Sequence, residues 1–260
     1  MIAVRDLTVA YAGRPVLDGV SFTIARGEMA GLLGPNGSGK TTLIKALTGA
    51  IPQRRMTSGE ILLNGKPLGA YSPKARARLA AVVPQRTEGI RGFTAFALVL
   101  MGRYPGLSFF GNYSPKDERA ALRAMEEAGA AAFADRPAGE LSGGELQRVM
   151  IARALAQETD ILFLDEASSG LDPARKIEIH DLLARRNRQG LTILSAIHDL
   201  NLAALYCPRL IVLKNGRVAL DGPTQEVFTQ KNLSEIYETE FIICRRPDRD
   251  APQCLPVPGV

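Results

Sequence analysis

Gly34, Pro35, Asn36, Gly37, Ser38, Gly39, Lys40 and Thr41 stand in one run, and their types and spacing suit the grip of a polyphosphate. The glycines let backbone N–H groups turn inward onto phosphate oxygens with no side chain in the way. The lysine that follows reaches the β and γ phosphates, and the threonine hydroxyl beside it can ligate Mg²⁺. A second stretch, Ile161 to Leu164 followed by Asp165 and Glu166, is a short apolar run ending in two carboxylates. At the carboxyl end of a buried parallel strand, such carboxylates stand where ligands bind in open α/β sheets. Asp165 is the candidate Mg²⁺ partner, and Glu166, one residue beyond the strand, is the candidate base that polarises an attacking water. A third stretch, Ser142, Gly143 and Gly144, precedes an amphipathic helical run over 146–155. Ser142 is its N-cap, and the two glycines leave its N–H groups open to an anion.

Elements that would position these residues are legible in the pattern. Residues 1–33 read as strands, with alternation at Val16, Val20, Phe22 and Ile24 before the apolar run Met29 to Leu33. The glycine-rich loop then opens a helix over 41–47, whose apolar residues Leu43, Ile44 and Leu47 share one face. Asn64-Gly65 and Asn215-Gly216 each sit between strand-like runs and predict two-residue hairpin turns. Ser72-Pro73 and Ser114-Pro115 predict helix starts, with Ser as N-cap and Pro as first helical residue. The stretch 115–134 is rich in Ala and Glu, and places Leu122, Met125 and Phe133 on one face. Buried strands at 161–164 and 192–197 flank a helical pattern at 174–188, and strand, helix, strand alternation argues for an α/β domain. From about 87 to 140 helical patterning dominates and reads as an insertion. Pro247, Pro252, Pro256 and Pro258 make 246–260 a proline-rich tail, expected to be irregular.

Composition narrows the function classes. Of 260 residues, 46% are hydrophobic and 23% charged, an ordinary globular balance that excludes a fibrous or disordered chain. Net charge is +5, from 32 Lys and Arg against 27 Asp and Glu; this suits an anionic ligand or membrane surface but is too weak to imply nucleic acid. Cys207, Cys244 and Cys254 are odd in number and widely spaced, forming neither a disulfide framework nor a metal knuckle, so a reducing compartment is expected. Arg5 and Asp6 interrupt the N-terminal apolar residues, so no signal peptide is expected. The longest apolar stretch, Phe93 to Met101, is far short of the ~20 residues of a membrane span.

Taken in order, the phosphate loop, the Ser142 segment and the Asp165–Glu166 pair resemble the ATP-binding-cassette (ABC) ATPases, from Leu7 to about Tyr237. The resemblance implies an α/β P-loop NTPase fold with an N-terminal antiparallel β subdomain. One ATPase domain would cover 1–245, with the helical subdomain inserted at about 87–140. It implies ATP and Mg²⁺ as cofactors, with Thr42 joining the nucleotide-binding residues. Tyr11 matches the aromatic that stacks on adenine, and Gln85 the glutamine that touches Mg²⁺ and links the core to the insertion. Ser169 to Asp172 match the loop that lies across a dimer interface. His198 matches the switch histidine that contacts the γ-phosphate, whereas His180, inside a predicted helix, reads as structural. Two positions depart from the common pattern, Ala167-Ser168-Ser169 after the base and Glu145 where glutamine is frequent, and neither touches Lys40, Glu166 or His198.

His198-Asp199-Leu200-Asn201, Met101 to Pro105 and Asp221 to Glu226 further resemble the ATPases of importers for iron–siderophore, haem and cobalamin. That branch implies a homodimer closing on ATP, polytopic permease subunits, a periplasmic or extracellular substrate-binding protein reached through them, and a peripheral place on the cytoplasmic membrane face. Arg86, Arg91 and Arg103 would then line a groove for the permease, or form a solvated face. The rival readings are an ABC ATPase outside transport, serving DNA repair or iron–sulfur assembly, and a regulatory module that binds nucleotide without hydrolysing it. Long heptads and CxxC pairs, which repair members carry, are absent, and Glu166 and His198 speak for hydrolysis.

Overall fold

Alternation of buried and exposed residues from Val20 to Ile24, beside a first strand buried at Ile2, Ala3 and Val4, lays down the first sheet. The computed structural model describes residues 1–85, 90, 92–108 and 111–258, the side chain of Gln53 excepted. Its packing divides the chain into unit 1, Met1–Ala70 with Leu194–Val260, and unit 2, Tyr71–Ile193.

Unit 1 opens with β1 (Ile2–Tyr11) and β2 (Arg14–Ile24), then β3 (Met29–Leu33), α1 (Lys40–Leu47), β4 (Met56–Leu63) and β5 (Lys66–Pro67). β1 pairs antiparallel with both β2 and β4, giving a sheet of order β2-β1-β4-β5. The β4–β5 hairpin turns on Asn64 and Gly65, both at positive φ (50° and 78°), as a two-residue turn matched to strand twist requires.

Unit 2 holds α2 (Pro73–Leu79), β6 (Ala80–Val83), α3 (Ala95–Leu100), α4 (Pro115–Glu127), α5 (Gly143–Ala156), β7 (Ile161–Asp165) and α6 (Pro173–Arg188). β6 and β7 run parallel, and α3, α4 and α5 pack on one another. Ser72 and Ser114 cap α2 and α4 by accepting from Ala75 and Asp117 N–H groups, with proline at each first turn. β8 (Thr192–Ala196) carries the chain back to unit 1. Its first residue donates to the Asp160 carbonyl at 3.0 Å, and Ile197, just past its end, donates to Leu32 at 3.2 Å.

The return to unit 1 adds α7 (Leu200–Tyr206), β9 (Arg209–Lys214), β10 (Arg217–Pro223), α8 (Thr224–Val227), α9 (Gln230–Tyr237), β11 (Phe241–Arg245) and β12 (Pro252–Pro256). β9 lies parallel to β3, and β10 doubles back on β9 across Asn215 and Gly216, again at positive φ.

Several expectations change. The tail is irregular only in part: 246–251 form no helix or strand, but β12 pairs with β11 from Phe241↔Pro256 to Arg245↔Pro252. Its prolines stand at the two ends of the strand, where a missing N–H costs no ladder bond. Leu122 is 45% exposed, and the buried face of α4 is Ala120, Ala121, Ala124 and Met125. A stripe of small residues lets this helix approach its neighbours closely, which a search for large side chains overlooks. Between 87 and 140 the described residues hold α3, α4 and the 3₁₀ turns Met101–Gly106, Ala131–Phe133 and Ala138–Glu140. Arg86 and Arg91 lie outside the described residues. Arg103 is no solvated cation: its side chain is 13% exposed, paired with Asp117 at 3.0 Å and Glu158 at 2.7 Å.

Candidate nucleotide-binding and catalytic site

The phosphate loop of unit 1 joins the fully buried β3 to α1. Gly34 sits at φ 143°, where a Cβ would stand 2.1 Å from the Leu213 carbonyl oxygen, so no other residue fits without moving β9. Gly37 and Gly39 are also at positive φ (79° and 105°), and Gly39 is the N-cap of α1. Among the described residues no side chain caps that helix, and its first turn carries no acid, so its leading N–H groups and positive dipole end suit an anion. Lys40, 5% exposed, folds back to donate to the Gly34 and Pro35 carbonyls at 2.7 and 3.2 Å. Among the described residues the buried Ser38 hydroxyl has no hydrogen-bond partner. A buried cation, an orphaned hydroxyl and an uncapped helix start fit the phosphates of ATP. Pro35 is half-buried, Asn36 exposed, and Thr41 and Thr42 occupy the first turn of α1, half-buried.

Tyr11 ends β1, half-buried, and the Arg55 guanidinium lies 4.7 Å from its ring centroid. One ring face is thus occupied by a cation, which holds the ring in place. The Arg54-Arg55 pair in the sequence was the available signal for this partner, and sequence reasoning passed over it. If the ring stacks on adenine, Tyr11→Ala weakens MgATP binding by about 1–3 kcal/mol, on the scale of base–aromatic stacking. Tyr11→Phe is expected to be nearly silent in the same calorimetric titration. Equal losses in both variants would reveal a hydrogen-bonded structural tyrosine instead. His198 stands exposed two residues past β8, directly before Asp199, the N-cap of α7.

In unit 2, Asp165 ends β7, a strand buried at every residue, and its own exposure is 3%. A carboxylate that deep must be paired or bind a cation, which fits a hard metal. Glu166 follows at φ 55°, a left-handed conformation that a residue with a side chain rarely adopts. This turn takes Glu166 out of the strand, half-buried where Asp165 is buried. The structure brings Gln85, just past β6, onto Glu166: its amide Nε2 donates to the Glu166 carboxylate. His180 is buried in α6 with Nε2 3.3 Å from the Ser168 hydroxyl. It packs as a structural residue, and the hydroxyl retained at 168 is its neighbour.

Ser142 caps α5 in a reciprocal box. Its hydroxyl accepts from the Glu145 N–H, and the Glu145 carboxylate accepts from the Ser142 N–H at 2.8 Å. These bonds, then the Arg136 guanidinium at 3.0 Å, hold the Glu145 carboxyl below its usual range. Glutamine at 145 would keep the box and lose the pairing with Arg136, whose role sequence reasoning missed. Ser142, Gly143 and Gly144 line a cavity of about 420 Å³ together with Gly170, Leu171 and Asp172. The two segments that the sequence separates by most of α5 and by β7 therefore share one surface.

A family model for ABC transporters matches residues 17–169. The iron(3+)-hydroxamate import ATP-binding protein FhuC of Bacillus subtilis (strain 168) is 40% identical over 255 residues, covering 98% of this chain and 94% of that one. An ABC transporter ATP-binding protein of the same organism, YvrA, is 42% identical over 238 residues, 91% of this chain; the chain spans only 53% of its length. Among solved structures, one of an ABC transporter assigned to the metal-chelate type, in an inward-facing conformation, superposes with a TM-score of 0.83 at 25% identity, covering 98% of this chain and 97% of that one. With its phosphate loop, its paired carboxylates and its Ser-Gly-Gly helix start, the chain belongs to the ABC transporter family, among the ATP-binding subunits.

Proposed function

We propose that this chain is the ATP-hydrolysing subunit of an importer for a metal chelate, of the iron–siderophore, haem or cobalamin kind. Two copies would close on ATP and drive a polytopic permease from the cytoplasmic membrane face, with a substrate-binding protein delivering cargo from outside. What supports the reading above all is the near full-length likeness to a hydroxamate import subunit. Among the described residues no helix is long and apolar enough to cross a membrane.

The roles divide by unit. In unit 1, Lys40 and the loop N–H groups bind the β and γ phosphates, Tyr11 bears the adenine, Thr41 offers a hydroxyl to Mg²⁺, and His198 senses the γ-phosphate. In unit 2, Asp165 and Gln85 would hold Mg²⁺, Glu166 accepts the proton of the attacking water, and Ser142 with Gly143 and Gly144 binds the γ-phosphate of the second copy. Bound Mg²⁺ would supply charge neutralisation on the transferring phosphate oxygens. The Gln85 amide, donating to Glu166, orients the carboxylate toward the water.

Affinity purification of the chain from membranes of its own host tests the transport reading. A polytopic membrane protein is expected to come down with it, and a strain lacking the chain is expected to lose uptake of a labelled ferric siderophore, haem or cobalamin. Purification without any membrane protein would overturn the transport reading.

A further inference from the structure

The C-terminal segment of unit 1 touches the nucleotide machinery at two points, both through backbone groups. At the first, the Gly34 N–H, which opens the phosphate loop, donates to the Tyr237 phenol oxygen at 3.1 Å. Tyr237 is itself held: its ring meets Phe241 edge-on at 6.2 Å, and Lys214 grips the end of α9 through the Glu235 carbonyl at 2.7 Å and the Glu238 carboxylate at 3.0 Å. At the second, the Asn201 amide takes both backbone groups of Cys254 in β12. It accepts from the N–H at 2.8 Å and donates to the carbonyl at 3.2 Å. Asn201 lies in the first turn of α7, where its own N–H donates to the capping carboxylate of Asp199, the residue after His198. The Phe241 N–H donates to Ser234 of α9 at 3.2 Å, so both ties belong to one element.

We propose that α9 and the β11–β12 hairpin are a positioning element of the nucleotide site, with Tyr237 fixing the start of the phosphate loop and Asn201 fixing the segment that carries His198. Gly34 is buried, and a buried N–H must have an acceptor; here the acceptor comes from 203 positions downstream. Burial pushes the phenol up to about 12, so it stays a neutral acceptor throughout the physiological range. Asn201 supplies one donor and one acceptor to Cys254, as a neighbouring strand would, and so anchors α7 irrespective of the cysteine side chain. Because the ties act on different groups, they should separate in kinetics. Loosening Gly34 disturbs the ground-state grip on the phosphates, while loosening α7 disturbs the group that senses the γ-phosphate. Tyr237 and Asn201 act through Gly34 and His198 and need touch no substrate.

This inference rests on the phosphate-loop reading, which Lys40→Ala tests in the same experiment. MgATP affinity and steady-state turnover are measured on the full-length parent, Lys40→Ala, Tyr237→Phe and Asn201→Ala. Tyr237→Phe, which keeps the ring, is expected to raise the Kd for MgATP about three- to tenfold with kcat little changed, as for loss of one hydrogen bond. Asn201→Ala is expected to lower kcat by a similar factor with Kd unchanged. Hydrogen–deuterium exchange should quicken around 33–39 in the first variant and around 197–203 in the second, with β7 unaffected. Parental Kd and kcat in both variants would overturn the inference, as would a joint loss of affinity and turnover in each variant that merely tracks thermal stability. Parental MgATP affinity in Lys40→Ala would instead overturn the phosphate-loop reading on which the inference stands.

Discussion

Glu166→Gln is expected to lower ATP turnover by about 10²–10⁴-fold, the usual loss when a general base is removed, while MgATP binds with parental affinity or better. The substitution exchanges one oxygen for an amide nitrogen and leaves the shape intact, so the left-handed turn after β7 (φ 55° at Glu166) is retained. The remaining carbonyl oxygen can still accept from the Gln85 amide, which donates to the carboxylate in the parent. Only the proton acceptor and the negative charge disappear. In the proposed dimer, loss of that negative charge favours nucleotide-bearing surfaces coming together, so the variant should dimerise more readily with ATP. Turnover and ATP affinity measured side by side decide the matter; a variant that hydrolyses ATP near the parental rate would strike Glu166 from the catalytic assignment.

Lys40→Ala and Ser142→Arg are each expected to abolish turnover alone, and an equal mixture to recover about a quarter of the parental rate. Lys40 is a buried cation whose ammonium is held by the loop carbonyls, and its loss removes the charge proposed to meet the β and γ phosphates. At 142, arginine would end the capping box with Glu145 and fill the surface shared with Gly170 to Asp172. In the proposed dimer each site takes the phosphate loop from one chain and the Ser142 segment from the other. A two-fold pair of differently damaged chains therefore has one site with both lesions and one site with neither. Random pairing makes about half of the dimers mixed, each with one intact site of two, hence the expected quarter. Silence in the mixture, with each variant folded and dimeric, would mean that sites are not shared between chains. Full activity of Ser142→Arg alone would remove that segment from the reaction.

Features written in local chemistry were legible from the sequence. Asn64-Gly65 and Asn215-Gly216 fixed two hairpin turns because few residue pairs accept two consecutive positive φ angles. Ser72, Ser114 and Ser142 each marked a helix start because the cap is one side chain bonding its own backbone. Features that depend on a distant partner were not legible. Leu122 shares a helix with Met125, yet which side faces inward is decided by α3 and α5, and they select Met125 with Ala120, Ala121 and Ala124 and leave Leu122 outside. The tail was judged on proline content, whereas its strand exists because β11 offers a ladder and Asn201 takes up the backbone of Cys254. The candidate site divides in the same way. The phosphate loop and the carboxylate pair are contiguous and were read directly. Arg55 over Tyr11, Arg136 on Glu145 and Tyr237 on Gly34 are second partners supplied from elsewhere in the chain, and no spacing rule announces them.

With Glu166 as the proposed base, its φ of 55° sets heat resistance against turnover at a single position. Left-handed backbone costs a residue with a β-carbon about 1–2 kcal/mol, while glycine adopts it freely and asparagine at less strain than most. Selected for survival of heating alone, a library randomised at 166 would therefore drift toward glycine and asparagine and lose the carboxylate. Selected for cargo uptake, it would return to glutamate and accept the strain. The two enrichment profiles should diverge most sharply here, and laboratory evolution of a hardier variant has to hold this codon fixed.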